Sequence, residues 1–269
     1  MYIVRLEECA FDKRYLYYSN LLFSYQKGGN LRVIGHRGAP TEALENSWQA
    51  IYCAISGQSD SIELDVRLSK DNIPYILHDD TLDRTVKANG YLQDFTSDEV
   101  DQMLLQNNEK IPKLTEIIEK ILPLVQLNIE LKESHVSSAE IIGEIIEKIP
   151  QKEKVVISSF DPAPLEVIAK KYPSLQLAIL WDELNPFQLN LTDFLKKHPD
   201  YFLHPPADEL DLDMIEFLKK EGIKIFTWMP IASKKEINNS HLWQTLYNLG
   251  IDGHCTNYPR ELKKWLQNQ

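Results

Sequence analysis

Ile62-Glu63-Leu64-Asp65 and, further on, Leu127-Asn128-Ile129-Glu130-Leu131-Lys132 decide how this chain folds. Alternate side chains of a strand point to opposite faces. Ile62 and Leu64 therefore face one way, and Glu63 and Asp65 the other. Ile129 and Leu131 repeat the apolar side, while Glu130 and Lys132 repeat the polar one. Two acids side by side on an otherwise apolar strand repel each other and resist desolvation. A cation removes both penalties, and carboxylates are the hard oxygen ligands that Mg2+ or Ca2+ prefers. The pattern predicts strands with apolar backs against helices and charged fronts toward a shared interior.

Upstream, Leu31 to Ile34 forms a first strand that ends at Gly35-His36-Arg37-Gly38. Leu44-Glu45-Asn46-Ser47 follows. Asn46 is a candidate N-cap ahead of Trp48, Ile51, Tyr52 and Ile55 at helical spacing, and Gly57 closes that helix. Past the second strand, Lys70-Asp71-Asn72 leads into Ile73 to Leu77 and then His78. That gap is too short for a parallel crossover, which needs a dozen or more residues. It predicts an antiparallel hairpin over the barrel mouth, in which Ile73 to Leu77 delivers His78 to the site and is not a barrel strand.

From Thr115 onward, helical and strand patterns alternate. Without the hairpin arm, strands start near Leu31, Ser61, Leu127, Lys154, Leu175, Tyr201, Ile223 and Ile251. Eight strands in strict alternation with helices imply an α/β fold, a single closed parallel (β/α)8 barrel, with the hairpin inserted after strand two. Residues 31–269 form this domain. Residues 1–30, with Tyr15, Tyr17, Tyr18 and Tyr25, read as an N-terminal arm capping the bottom of the barrel, closed by the turn Lys27-Gly28-Gly29-Asn30.

Composition narrows the function. A net charge of −11 argues against a general nucleic-acid or anionic-membrane binder. Cys9, Cys53 and Cys255 are odd in number and far apart, unlike a disulfide framework or a zinc site. No cationic start with an apolar stretch behind it suggests a secretory signal, and no apolar run is long enough to span a bilayer. A cytoplasmic location is the resulting expectation.

Taken together, Gly35-His36-Arg37-Gly38, Glu45-Asn46-Ser47, Glu63-Leu64-Asp65, His78-Asp79 and Leu82-Asp83-Arg84-Thr85 resemble the motifs of the glycerophosphodiester phosphodiesterases. The resemblance extends from Leu31 to Pro259 and takes in Ile129-Glu130-Leu131-Lys132 and Ser158-Ser159-Phe160. It implies a barrel fold and a cation, Mg2+ or Ca2+, held by Glu63, Asp65 and Glu130. It also implies Arg37 and Lys132 on the phosphate, and His36 and His78 in acid–base catalysis. Glu45 is placed near the site, against Arg37 or the metal. Phe160 either walls the pocket or packs in the core, and Trp228 sits where the family packs a Trp against glycerol. The chain departs from the family at Leu44, Ser47, Asn257 and the run Met229-Pro230-Ile231 after Trp228, where the family has Pro, Thr, Asp and a polar tail. Thr256 and Asn257 are read as shaping the end of the last strand, and His204 as packing rather than pocket lining.

The implied activity is hydrolysis of a small glycerophosphodiester to an alcohol and sn-glycerol 3-phosphate. One histidine serves as acid and the other as base, in an order the residues leave open. The attacking oxygen is either water or the substrate's own hydroxyl, the latter giving a cyclic phosphate first. Two rivals use the same scaffold. A lysophospholipase D or sphingomyelinase D-like enzyme would need an apolar mouth, for which Met229, Pro230, Ile231 and the Tyr-rich arm are available. A non-catalytic phosphate-binding barrel would leave the histidines without a task.

Overall fold

The structure, a computed structural model, describes residues 30–181, 191–208, 210, 212–230 and 240–269. The arm expected over residues 1–30 lies outside these residues except for Asn30, and so does Ile231.

The strands are β1 (Arg32–Gly35), β2 (Ser61–Leu68), β3 (Pro74–Ile76), β4 (Gln126–Leu131), β5 (Val155–Ser159), β6 (Gln176–Leu180), β7 (Phe202–His204), β8 (Phe226–Trp228) and β9 (Gly253–Thr256). Between them run α1 (Trp48–Ser56), α2 (Ser97–Val100), α3 (Leu114–Lys120), α4 (Val136–Glu147), α5 (Pro162–Lys171), α6 (Leu191–Lys197), α7 (Leu212–Lys220), α8 (Ser240–Asn248) and α9 (Pro259–Leu266). Pairing follows the order β7-β6-β5-β4-β2-β1-β9-β8, with β3 off this path. Parallel bridges from Leu203 to Ile225 and from Pro206 to Trp228 join the two ends, so eight parallel strands close into a barrel.

The alternation of the strands sorts the side chains. Ile62, Leu64, Ile129 and Ile157 are completely buried in the layer between strands and helices. Each such side chain contributes about 1.5–3 kcal/mol of burial. Their neighbours Glu63, Asp65, Asn128, Glu130 and Ser158 fill the lumen. The register sets Asp65 opposite Glu130 and Glu63 opposite Asn128, so the acids of two strands meet at adjacent levels.

Beyond the barrel, β2 pairs antiparallel with β3, Val66 opposite Ile76. The segment from here to α3 has its own small core of Tyr75, Leu77, Leu82, Val86, Leu92, Val100, Leu105 and Ile111. That core holds the segment carrying His78 and Arg84 as a solid body rather than a loose loop.

One local expectation at α1 is corrected. Its N-cap is Ser47, whose Oγ accepts from the Ala50 amide at 3.1 Å. Asn46 has a left-handed backbone (φ 57°), and its side chain is committed to Asp65. Gly57 ends the helix as expected, in a right-handed conformation, and the left-handed residue is Gln58. Gly38, by contrast, needs to be glycine. Its φ is +90°, and a Cβ there would stand 2.6 Å from the Ala50 carbonyl carbon. The turn after β1 can therefore seat flush on α1 and aim Arg37 into the barrel mouth. Among the described residues, no helix is long and apolar enough to cross a membrane.

Candidate active site

Active sites of such barrels lie at the C-terminal ends of the strands, and the expected residues converge there. A cavity of about 470 Å3 is lined by His36, Arg37, Glu45, Glu63, His78, Glu130, Lys132, Phe160 and Trp228, among others. A larger cavity of about 600 Å3 opens at the opposite end, between Asn30, Asp60, Lys154 and Lys263, and contains none of these groups.

Glu63, Asp65 and Glu130 each offer a carboxylate oxygen within 4.8 Å of the others, and all three side chains are buried. Arg37 and Lys132 bracket this cluster. The Arg37 amide donates to Glu63 Oε2 at 2.8 Å, and its Nε lies 3.2 Å from Asp65 Oδ2. Lys132 Nζ lies 2.5 Å from Glu130 Oε1 and 3.2 Å from Asp65 Oδ1. Asn46 Nδ2 donates to Asp65 Oδ2 at 2.8 Å.

Proton affinities divide accordingly. Burial pushes the Glu63 carboxyl well above the usual range, and the neighbouring Asp65 and Glu130 charges push it further. Burial also raises Glu130, against the pull of Lys132. For Asp65, burial is outweighed by Lys132 and Arg37, which hold it below the usual carboxylate range. Two cations thus cannot neutralise three buried acids. Glu63 Oε1 is buried without a hydrogen-bond donor, and the buried Asp65 Oδ1 faces the Lys132 ammonium at 3.2 Å without a well-aligned hydrogen bond. Hard oxygen donors, converging and short of positive charge, suit a divalent cation.

The two histidines have distinct supports. His36 Nδ1 is 2.9 Å from Asn257 Oδ1, and Asn257 Nδ2 donates to the Pro230 carbonyl at 3.2 Å. The amide orientation is thereby set, so His36 carries its proton on Nδ1 and keeps Nε2 for exchange. That Nε2 lies 4.0 Å from Glu63 Oε2. His78 Nδ1 is 2.7 Å from Asp79 Oδ1. Hydrogen bonds from Arg84 and His78 outweigh burial to hold the Asp79 carboxyl at about 2, so it is ionised and can only accept. His78 therefore also has its proton on Nδ1. Burial lowers the His78 pKa, with Lys132 and Arg37 in the same direction and Asp65 opposing.

Glu45 is not one of the three clustered carboxylates and accepts from Arg37 Nη1 at 2.7 Å, so of the two placements read from sequence it takes the one against Arg37. Phe160 meets the Trp228 ring edge-on, with centroids 5.6 Å apart. Together with Leu180 and Pro230 these rings make one wall of the cavity apolar. His204, read as packing, does touch the Phe226 ring, but it also lines the cavity. Burial lowers it to about 3, so it is neutral there. The contacts of Asp79, Arg84 and Asn257 were missed. The signals available were the Asp after His78, the Leu-x-Arg-Thr run, and Asn257 in the place of the family's Asp.

Comparison with known proteins agrees with this geometry. The Glycerophosphoryl diester phosphodiesterase family matches residues 36–261. A glycerophosphodiester phosphodiesterase of Caldanaerobacter subterraneus is 31% identical over 86% of this chain and 95% of its own. A lysophospholipase D of Rattus norvegicus is 26% identical over 88% of this chain and 86% of its own. Among solved structures, an Oleispira antarctica phosphodiesterase in complex with its product sn-glycerol-3-phosphate superposes with a TM-score of 0.77 at 26% identity, over 88% of this chain and 96% of that one. The chain belongs to the glycerophosphodiester phosphodiesterase family and is a phosphoric diester hydrolase of that family.

Proposed function

We propose that this phosphodiesterase hydrolyses small glycerophosphodiesters to an alcohol and sn-glycerol 3-phosphate, with Glu63, Asp65 and Glu130 holding one divalent cation, Mg2+ or Ca2+. The observation that carries the reading is the buried trio of carboxylates beside two histidines, each held with Nε2 as its exchanging nitrogen. When bound, the cation supplies Lewis-acid neutralisation of the phosphate. Arg37 and Lys132 add positive charge to the phosphate oxygens where these enter the cluster. Of His36 and His78, one takes the proton of the attacking oxygen and the other returns one to the leaving alkoxide. Phe160 and Trp228 wall the substrate side of the cavity, and Glu45 keeps Arg37 turned toward the phosphate. The enzyme works in the cytoplasm.

The apolar wall of Phe160, Leu180, Trp228 and Pro230 favours one second reading, a lysophospholipase D acting on a lipid diester. Turnover of glycerophosphocholine, glycerophosphoethanolamine and lysophosphatidylcholine under one set of conditions separates the two. The small diesters are expected to turn over faster. Turnover of the lysolipid alone would transfer the assignment to the second reading.

The cation also has a consequence for stability. Glu63 and Glu130 have folded-state pKa values raised above their unfolded ones. Such acids bind protons more tightly when folded. Their contribution is fully present below the unfolded value of about 4.3 and is lost as pH rises through the folded value. In chelator these two acids therefore act to lower stability as pH rises, while His78 and His204, whose pKa values burial lowers, act to raise it up to their unfolded value of about 6.5, so the readout is the difference in Tm with and without the cation at each pH. Added Mg2+ or Ca2+ is expected to raise Tm, and more so at the higher pH, because it replaces those protons. A Tm gain on adding the cation that shrinks from about pH 5 to 8 would contradict the assignment.

A further inference from the structure

We propose that Arg84 is a positioning residue. It ties the inserted segment to the barrel and, through Asp79, fixes the orientation of His78 without touching substrate. The inference rests on the reading of His78 as a proton-transfer group.

His78 needs such a tie. It lies outside the regular strands and its side chain is 30% exposed. Its own holds are the Asp79 carboxylate and the Arg67 Nε that donates to its carbonyl at 2.7 Å. Asp79 is the next residue on the same segment and is itself one-quarter exposed, so it orients His78 only if something else holds it.

Arg84 supplies that hold. Its Nε donates to Asp79 Oδ2 at 2.6 Å and its Nη2 to Asp79 Oδ1 at 3.0 Å. On its other edge, Nη1 donates to Glu45 Oε2 at 2.8 Å and Nη2 to Glu45 Oε1 at 2.7 Å. A guanidinium has five N–H groups in a rigid plane, and here four of them serve two carboxylates. Little is left for a third anion, so Arg84 is not a phosphate ligand although it borders the cavity. Glu45 is the anchor. It is buried, lies 39 residues from Arg84, and is gripped independently by Arg37 on the turn after β1. The line Glu45–Arg84–Asp79–His78 thus runs from the barrel into the insertion. A lysine at 84 cannot reproduce it, since an ammonium lacks the flat fork.

The test is a double-mutant cycle with glycerophosphocholine, using Arg84→Ala, Arg84→Lys, His78→Ala and the Arg84→Ala/His78→Ala double variant. Arg84→Ala is expected to lower kcat about 10–100-fold, as loss of an orienting partner does, with KM little changed. Arg84→Lys is expected to recover little of it. In the His78→Ala background the same Arg84→Ala change is expected to cost less than about threefold, because the residues act as one unit. A structural role alone would lower Tm and multiply the loss equally in both backgrounds, which would overturn the inference. So would an Arg84→Ala enzyme with unaltered kcat. A His78→Ala enzyme at full rate would overturn the reading of His78, and this inference with it. Equal multiplication beside an impaired His78→Ala would overturn this inference alone.

Discussion

Replacing His36 or His78 with Ala is expected to slow hydrolysis of glycerophosphocholine by about 10²–10⁴-fold, the range for a lost acid–base group. Both imidazoles carry their proton on Nδ1, against Asn257 in one case and Asp79 in the other. Each therefore offers Nε2 as the exchanging atom, and a proton donor with a proton acceptor gives a bell-shaped pH–rate profile. The losses should not multiply in the double variant if, as proposed, the two residues serve one transition state. A nitrophenyl diester separates their tasks. Its leaving group needs little protonation, so the variant lacking the acid should be selectively rescued and the variant lacking the base should not. Equal rescue of both variants, or undiminished rates on the natural diester, would refute the pairing.

Glu63→Gln is expected to be the most informative change in the carboxylate cluster. Without a cation the Glu63 carboxyl is held above the usual range and favours its protonated form, which Gln imitates. The variant should therefore keep or exceed the wild-type Tm in chelator, yet lose most of the Tm gain on adding Mg2+ or Ca2+. Its kcat/KM should fall by at least about 10²–10³, the size of effect seen when one stabiliser of transition-state charge is removed. Asp65→Asn should behave differently. Asp65 is fully buried between Arg37 and Lys132, so removing its charge takes one partner from each, leaving Arg37 with Glu45 and Lys132 with Glu130. Leaving a buried charge without any partner costs about 3–5 kcal/mol; here the cost should be smaller, and this variant should still lose Tm in chelator. Matching Tm profiles for the two variants would contradict the division of charge within the cluster.

The parts of this site that were legible in the sequence are those governed by local period. Alternation along two strands was enough to separate Glu63, Asp65, Glu130 and Lys132 from their apolar neighbours, and the same alternation between strands and helices indicated the barrel. Pairing register is not local. That Asp65 stands opposite Glu130 depends on a pairing across 65 residues. The same limit hid Asn257, which supports His36 from 221 residues away. Arg84 reaches Glu45 across an insertion whose packing no period describes. At Asn46 the difficulty was of another kind. Asn46 and Ser47 are both good caps, and the choice between them was made by Asp65, which takes the Asn46 amide and leaves the cap to Ser47. His204 has no neighbouring motif to mark it, and only closure of the barrel brings it to the cavity.

The central claim is that three inward carboxylates from β2 and β4 hold a cation without which the diester is not hydrolysed. Its most direct measurement is release of sn-glycerol 3-phosphate from glycerophosphocholine by enzyme treated with excess EDTA and dialysed, then titrated with Mg2+ or Ca2+. The account predicts no release above background in chelator and full recovery on saturating with one of the two ions. Full activity in excess EDTA after dialysis would contradict it.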